Sequence, residues 1–406
     1  MSELNSRKDI AVFLGPSLDQ KSAREILDAT YYPPVSKGDV YKIIPSGVKT
    51  IVILDGVFHS TPSVWQRELL DAIGEGILVV GASSMGALRA AELHTLGMIG
   101  FGTIFEWYRD GVIEGDDEVA LLHGPQDVDY CPLSTPLVNI RYTLSKAVED
   151  NCITGEQAAQ LIAFAKALHY PKRSYQELLC SEILPLNQIE ELDRYLVTRN
   201  VDLKRLDAIG ALHYVVNYGE KLREAIPTDR ISATSRQRYD ALILTGFMSG
   251  DRLISGKTVL QAAQKDSNLV DRLWTTLSTR FFVLESARQN GIESIAHDNG
   301  TSVTSRQDWL QSNGLTRKRF EWLQGRKTLA EHLIRHNNAA SLIQEWATKH
   351  GVVFSQEKNQ IEHSLVDWII EKGPAYFGFD WMFELELLQE IQITGLAAQI
   401  ISRLEE

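Results

Sequence analysis

Three short apolar runs constrain this chain most: "IAVFLG" from Ile10, "KTIVILDG" from Lys49 and "ILVVGA" from Ile77. The stretches between them have the spacing of helices. "DQKSAREILDAT" puts Ala23, Ile26 and Leu27 on one face, and "STPSVWQRELLDAIGEG" reads as a helix with Pro62 in its opening turn. A run that is apolar throughout suits a strand buried on both faces, and strands alternating with helices imply a parallel sheet covered on each side. The expected fold class is α/β, with a parallel-sheet, hydrolase-like core at the N-terminus.

The pattern then changes. "LDRYLVTRNVDLKRLDAIGALHYVV" and "DRLWTTLSTRFFVLESA" repeat apolar residues every three or four positions, so the remainder is expected to be mainly α-helical. Pro185 is the expected break, giving a core domain 1–185 and a helical domain 186–406, and 406 residues are ample for two buried cores. A formal charge of −12 argues against a general affinity for nucleic acid or anionic membrane. The three cysteines, Cys131, Cys152 and Cys180, form no CxxC pair, which fits a reducing cytoplasmic setting and no zinc site. The first residues hold only the short apolar run Ile10 to Leu14, so neither export nor a membrane anchor is expected.

In a parallel sheet, polar residues at the carboxyl ends of the strands gather in one crevice. That rule collects Ser17, Asp55 and the pair Ser83 and Ser84. Centred on Ser84, "ASSMG" has the small-x-Ser-x-Gly form of a strand turning sharply into a helix with its hydroxyl presented. The Met85 N–H, at the start of that helix, would serve an oxyanion. The plainer reading makes Ser83 only a helix cap. A serine nucleophile needs a base: His59, His94, His123 and His169 lie in this half, and a lysine kept neutral by burial could serve instead. Asp116, Asp117 and Glu118 near His123 read as a solvated acidic loop, "YRDG" as a turn, and His332 and His336 as ordinary histidines without a third ligand. The aromatics of Ala375 to Leu388 fit helix packing, with partner contact as the alternative. No metal and no cofactor are expected.

Taken in order, "VFLGPSL", "YYPPVSKGDVYKI", "ILDGVF", "PSVWQRELL", "GASSMGALRAAEL", "FEWYRDGVIEGDDEVALLHGP" and "PLSTPLVNIRYTL" resemble the TfuA-like family over roughly Val12 to Leu144. The resemblance implies an accessory protein for YcaO enzymes, which exchange a peptide backbone oxygen for sulfur. It implies a hydrolase-like site with a Ser-Lys pair that releases sulfide from a thiocarboxylated ThiS-type carrier, with the precursor peptide as a further partner. Ser84 takes the serine position. The lysine expected just after Trp65 is replaced by Arg67, which leaves Lys37 of "SKGD" as the candidate base or Arg67 in an electrostatic role. Arg67 and Arg89 could offset the charge of a thiocarboxylate, although Arg89 could equally only brace its helix. A non-catalytic adaptor docking YcaO to its peptide or sulfur donor is the alternative. The helical half could bind YcaO, the carrier or a second copy of the chain.

Overall fold

The computed structural model describes residues 9–57, 61–224, 226, 235–250, 252–292, 307–336, 341, 342, 345, 348 and 380–405. The chain divides into two compact units, Met1–Val40 with Val48–Ile231, and Tyr41–Gly47 with Ser232–Glu406.

Along the chain, β1 (Ile10–Phe13), α1 (Gln20–Ile26), β2 (Thr30–Tyr32), α2 (Asp39–Ile43), whose residues from Tyr41 on are assigned to the second unit, β3 (Thr50–Ile53), α3 (Gln66–Gly74), β4 (Leu78–Ala82), α4 (Met85–Leu93), β5 (Ile99–Phe101) and α5 (Thr103–Arg109) follow one another. The strands form one sheet in the order β2-β1-β3-β4-β5. Every neighbouring pair is parallel, with Phe13 beside Ile53 and Ile53 beside Gly81. All residues of β1, β3 and β4 are buried, as their unbroken apolar runs require. Helix α3 begins at Gln66 rather than around Pro62, because Trp65 is still extended and its N–H is taken by the Glu68 carboxylate.

Among the described residues, the first unit also holds the α-helices α6 (Leu137–Glu149), α7 (Gly155–Ala167), α8 (Tyr175–Leu179), α9 (Leu186–Arg199) and α10 (Leu203–Glu224). The unit that holds the sheet therefore runs past Pro185. The reason lies in α10, whose Ala208, Ala211, Leu212 and Val215 pack on Val12, Leu14, Val52, Leu54, Val80 and Ala82 of the sheet. Those strand residues need a cover, and a helical stripe at this spacing supplies it.

The second unit is mainly helical: α11 (Ser235–Leu244), a two-stranded antiparallel hairpin of β6 (Gly246–Ser249) and β7 (Arg252–Ser255), then α12 (Gly256–Gln264), α13 (Ser267–Gln289), α14 (Gln307–Ser312), α15 (Arg317–Arg335), α16 (Asp380–Thr394) and α17 (Leu396–Glu405). Leu277, Phe281, Phe282, Leu385, Leu388 and Ile391 lie in its main core. In the aromatic stretch Phe383 is core and the half-buried Trp381 packs against that core; Ala375 to Phe379 lie outside the described residues. The Glu386 carboxylate is buried between the guanidiniums of Arg280 and Arg326, at 2.7 and 2.8 Å, an arrangement that supplies the partners a buried charge requires. No described helix is long and apolar enough to cross a membrane.

Strand β4 enters α4 through a crowded turn. A Cβ added at Gly86 would run into the carbonyl oxygen of Ile53, and one added at Gly81 would meet the carbonyl of Gly86. Gly86→Ala should therefore cost more than about 2 kcal/mol in urea unfolding. Gly155→Ala, where the new carbon meets nothing within 4 Å, should leave stability level or raise it by up to about 1 kcal/mol.

Candidate functional site

A sheet ordered 2-1-3-4-5 reverses direction between β1 and β3, and the crevice beyond the carboxyl ends of those strands is the usual place for a ligand. Asp55 follows β3 and Gly15 to Ser17 follow β1. The Gly15 N–H donates to Asp55 Oδ2 at 2.9 Å, the Ser17 N–H to the same oxygen at 3.1 Å, and the Ser17 hydroxyl to Oδ1 at 2.6 Å. The carboxylate is thus held by two backbone amides and a hydroxyl while 1 % exposed. Ser17 and Asp55 meet as the strand-end rule predicts, but they bind each other.

The two serines divide their work. Ser83 has a φ of 67°, a left-handed conformation that costs a non-glycine residue free energy. Its hydroxyl donates to the Lys204 carbonyl at 2.9 Å, so it is neither a free nucleophile nor a helix cap. Ser84 is the N-cap residue of α4, yet its side chain makes no capping bond. Its N–H donates to the Leu54 carbonyl at 3.1 Å, which places it against the residue preceding Asp55. The amides of Met85 and Gly86 follow in the first turn, where no acceptor within the helix exists.

Lys204 is the residue that sequence reasoning missed. It lies in the first turn of α10, is 2 % exposed, and its ammonium stands 3.7 Å from Asp55 Oδ1, an ionic contact rather than a hydrogen bond. Nζ donates to the Val119 carbonyl at 3.1 Å. Burial pushes its proton affinity below the ordinary lysine value, against the opposing pull of Asp55 and Asp202. A signal for it exists: Lys204, Ala208, Ala211 and Val215 fall on one helical stripe, so this lysine occupies a position where an apolar residue is the rule.

The start of α10 is pinned from several sides. Asn139 accepts the Lys204 N–H at 3.2 Å and donates to Asp202 at 3.0 Å, and the Thr143 hydroxyl accepts from the Val201 N–H at 3.0 Å. Asp207 accepts the N–H groups of Thr103 and Ile104 at 3.1 and 2.8 Å, and burial raises its carboxyl to about 6. The acidic loop is solvated only in part, at Asp116 and Asp117. Glu118 is fully buried in a two-bond pair with Arg141, and Asp117 is bound by the buried Arg173. These pairs fix the segment whose Val119 carbonyl meets Lys204.

A cavity of about 250 Å³ opens beside this network, lined by residues including Pro16, Pro132, Ser134, Asn139, Tyr175 and Lys204. Ser84, 2 % exposed, is not part of its described lining.

The remaining candidates sit elsewhere. Lys37 Nζ lies 3.5 Å from the centroid of the Trp65 ring, in a cation–π contact. Arg67 pairs with Asp71 at 2.6 Å. Arg89 donates to the Val64 carbonyl, Ser63 and both oxygens of Glu92, and so braces α4. Glu68, buried and raised to about 7 by desolvation, accepts the N–H of Gly38 and of Trp65, tying the Lys37 turn to the start of α3. His94 and His169 are exposed, His123 stacks edge-on against Tyr130, and His59 lies outside the described residues. His332 and His336 stack on one another at 4.0 Å. Among the described residues, no group of three or more His, Cys, Asp or Glu could hold a metal ion.

With this geometry in view, residues 55–174 match the sequence model of the family described as TfuA-like protein, a family associated with YcaO-dependent thioamidation. The matched segment holds Asp55, Ser83, Ser84 and Asn139, whereas Ser17 and Lys204 lie on either side of it. No curated protein matches the chain.

The buried lysine has a consequence for stability. The unfolded chain holds the proton of residue 204 up to the ordinary lysine value of 10.5, while the folded protein releases it at lower pH. In the window below 10.5 the unfolded state binds more protons, so this group's contribution to stability rises with pH. Unfolding in urea across a pH series should show wild type gaining on Lys204→Met as pH increases towards 10.5.

Proposed function

We propose that the chain is an accessory hydrolase of YcaO-dependent peptide backbone thioamidation, acting through Ser84 and Lys204 on a thiocarboxylated, ThiS-like carrier. The observation that carries this reading is a lysine buried at the sheet's carboxyl edge, with its proton affinity lowered, on a helix bonded to the serine next to Ser84. Arg67 and Lys37, each engaged with another side chain, are weaker candidates for the base.

The chemistry follows from these groups. Neutral Lys204 takes the Ser84 hydroxyl proton as the oxygen attacks the terminal carbonyl of the carrier. The Met85 and Gly86 amides stabilise the oxyanion, aided by the positive end of α4. The C–S bond breaks, the proton passes to sulfur and hydrosulfide departs, leaving an ester at Ser84. Water then cleaves that ester, returning the serine and freeing the carboxylate. The cavity beside Lys204 has room for the extended end of a carrier chain.

The docking reading keeps one observation in its favour. Ser84 is almost wholly buried and stands outside the cavity lining, as a serine without turnover could be. The precursor peptide and YcaO are then the partners, with the chain holding them together.

Sulfide release from a thiocarboxylated carrier separates the two. Ser84→Ala and Lys204→Met should each lower it by roughly 100-fold or more, while thioamidation with added sulfide persists. Release by Ser84→Ala at the wild-type rate would remove the hydrolase reading and leave the adaptor.

A further inference from the structure

Asp55 has hydrogen-bond partners of its own, apart from its contact with Lys204. Two amides on Oδ2 and the Ser17 hydroxyl on Oδ1 already occupy both of its oxygens. Lys204 faces the oxygen that also receives the Ser17 hydroxyl, at 3.7 Å against 2.6 Å. The short bond from Ser17 draws electron density from the oxygen that faces the amine. Ser17 and Asp55 are thus placed as a graded counter-charge, their polar atoms taken up by one another and by the Gly15 amide.

We propose that Asp55 is the positioning residue of Lys204, anchoring the amine at the β1/β3 crevice and favouring its proton, and that Ser17 moderates that pull. This inference rests on the reading of Lys204 as the base of the site. It assigns Ser17 and Asp55 to the amine rather than to the substrate. The amine's other neighbours are accounted for. Asp202, at the start of α10, adds negative charge and is held by Asn139 and Arg205. The Val119 carbonyl takes one N–H of Lys204. Asp55 itself also acts on Tyr130, from the loop after Glu118, whose phenol burial and the Asp55 charge keep neutral.

Two substitutions move the proton in opposite directions. Asp55→Asn removes the counter-charge and keeps a side chain of the same shape, so Lys204 should lose its proton more readily. Ser17→Ala removes the moderating bond and leaves the carboxylate, so Lys204 should hold its proton more firmly. A side chain that merely filled space would not produce shifts of opposite sign.

The measurement is carbon NMR of the full-length protein labelled at the lysine ε-carbons, with the Lys204 signal assigned by its loss in Lys204→Met. Its titration midpoint should fall by about 1–3 pH units in Asp55→Asn and rise by about half a unit in Ser17→Ala. No shift in a folded Asp55→Asn, or shifts of the same sign in both variants, would overturn the proposal. If Asp55→Asn does not fold, Ser17→Ala decides alone: a rise supports the proposal and a fall or no change refutes it. The titration needs no carrier, so a wild type that released no sulfide would count against the hydrolase reading and not against this one.

Discussion

A carboxylate buried at the seam between β1 and β3 organises the carboxyl edge of the sheet. Stripped of water, the Asp55 side chain must find donors within the fold, and the turn after β1 provides them from Gly15 and Ser17. That requirement shapes the turn, joins the two strands where the sheet order reverses and leaves one oxygen facing Lys204. Breaking this set by deleting one member would strand a charge in the interior, which is far more costly than losing an exposed ion pair.

Around that centre the fold relies on polar ties between segments distant in sequence. Ser83 keeps an unfavourable backbone conformation because its hydroxyl is anchored to α10, and α10 is in turn held by Asn139, Thr143 and Asp207. The acidic segment contributes through Glu118 and Asp117, each neutralised by an arginine from the helical part of the same unit. Of the charged residues that look like a wet surface loop, Glu118 is thus wholly buried, while Asp117 is partly covered and Asp116 stays exposed.

The strands of the sheet's centre were legible because burial on both faces demands uninterrupted apolar sequence, as in Ile51 to Leu54 and Leu78 to Val80. The edge strands β2 and β5 were not: three residues each, half exposed and including tyrosine or glycine, they carry no periodicity to read. Ser17, Asp55, Ser83 and Ser84 could be gathered from the strand-end rule, which depends only on local pattern. Lys204 could not be gathered in that way, since its place depends on how a helix more than a hundred residues later docks. Lys37 and Arg67 stood close to Ser84 in motif space, yet cation–π contact and a helical ion pair account for their positions. The bends that bring distant segments together are tertiary facts, and residue spacing alone does not encode them.

The separation of Ser83 from Lys204 by 121 positions has a temporal meaning. A ribosome adding about 5–20 residues per second would deliver the serines roughly 6 to 24 seconds before the amine. During that interval the nascent sheet carries Asp55 and both hydroxyls but lacks the helix that roofs Val52, Leu54 and Val80. The growing polypeptide therefore passes through a stage with bare hydrocarbon and with Asp55 lacking its cation, and both deficits end together when α10 settles.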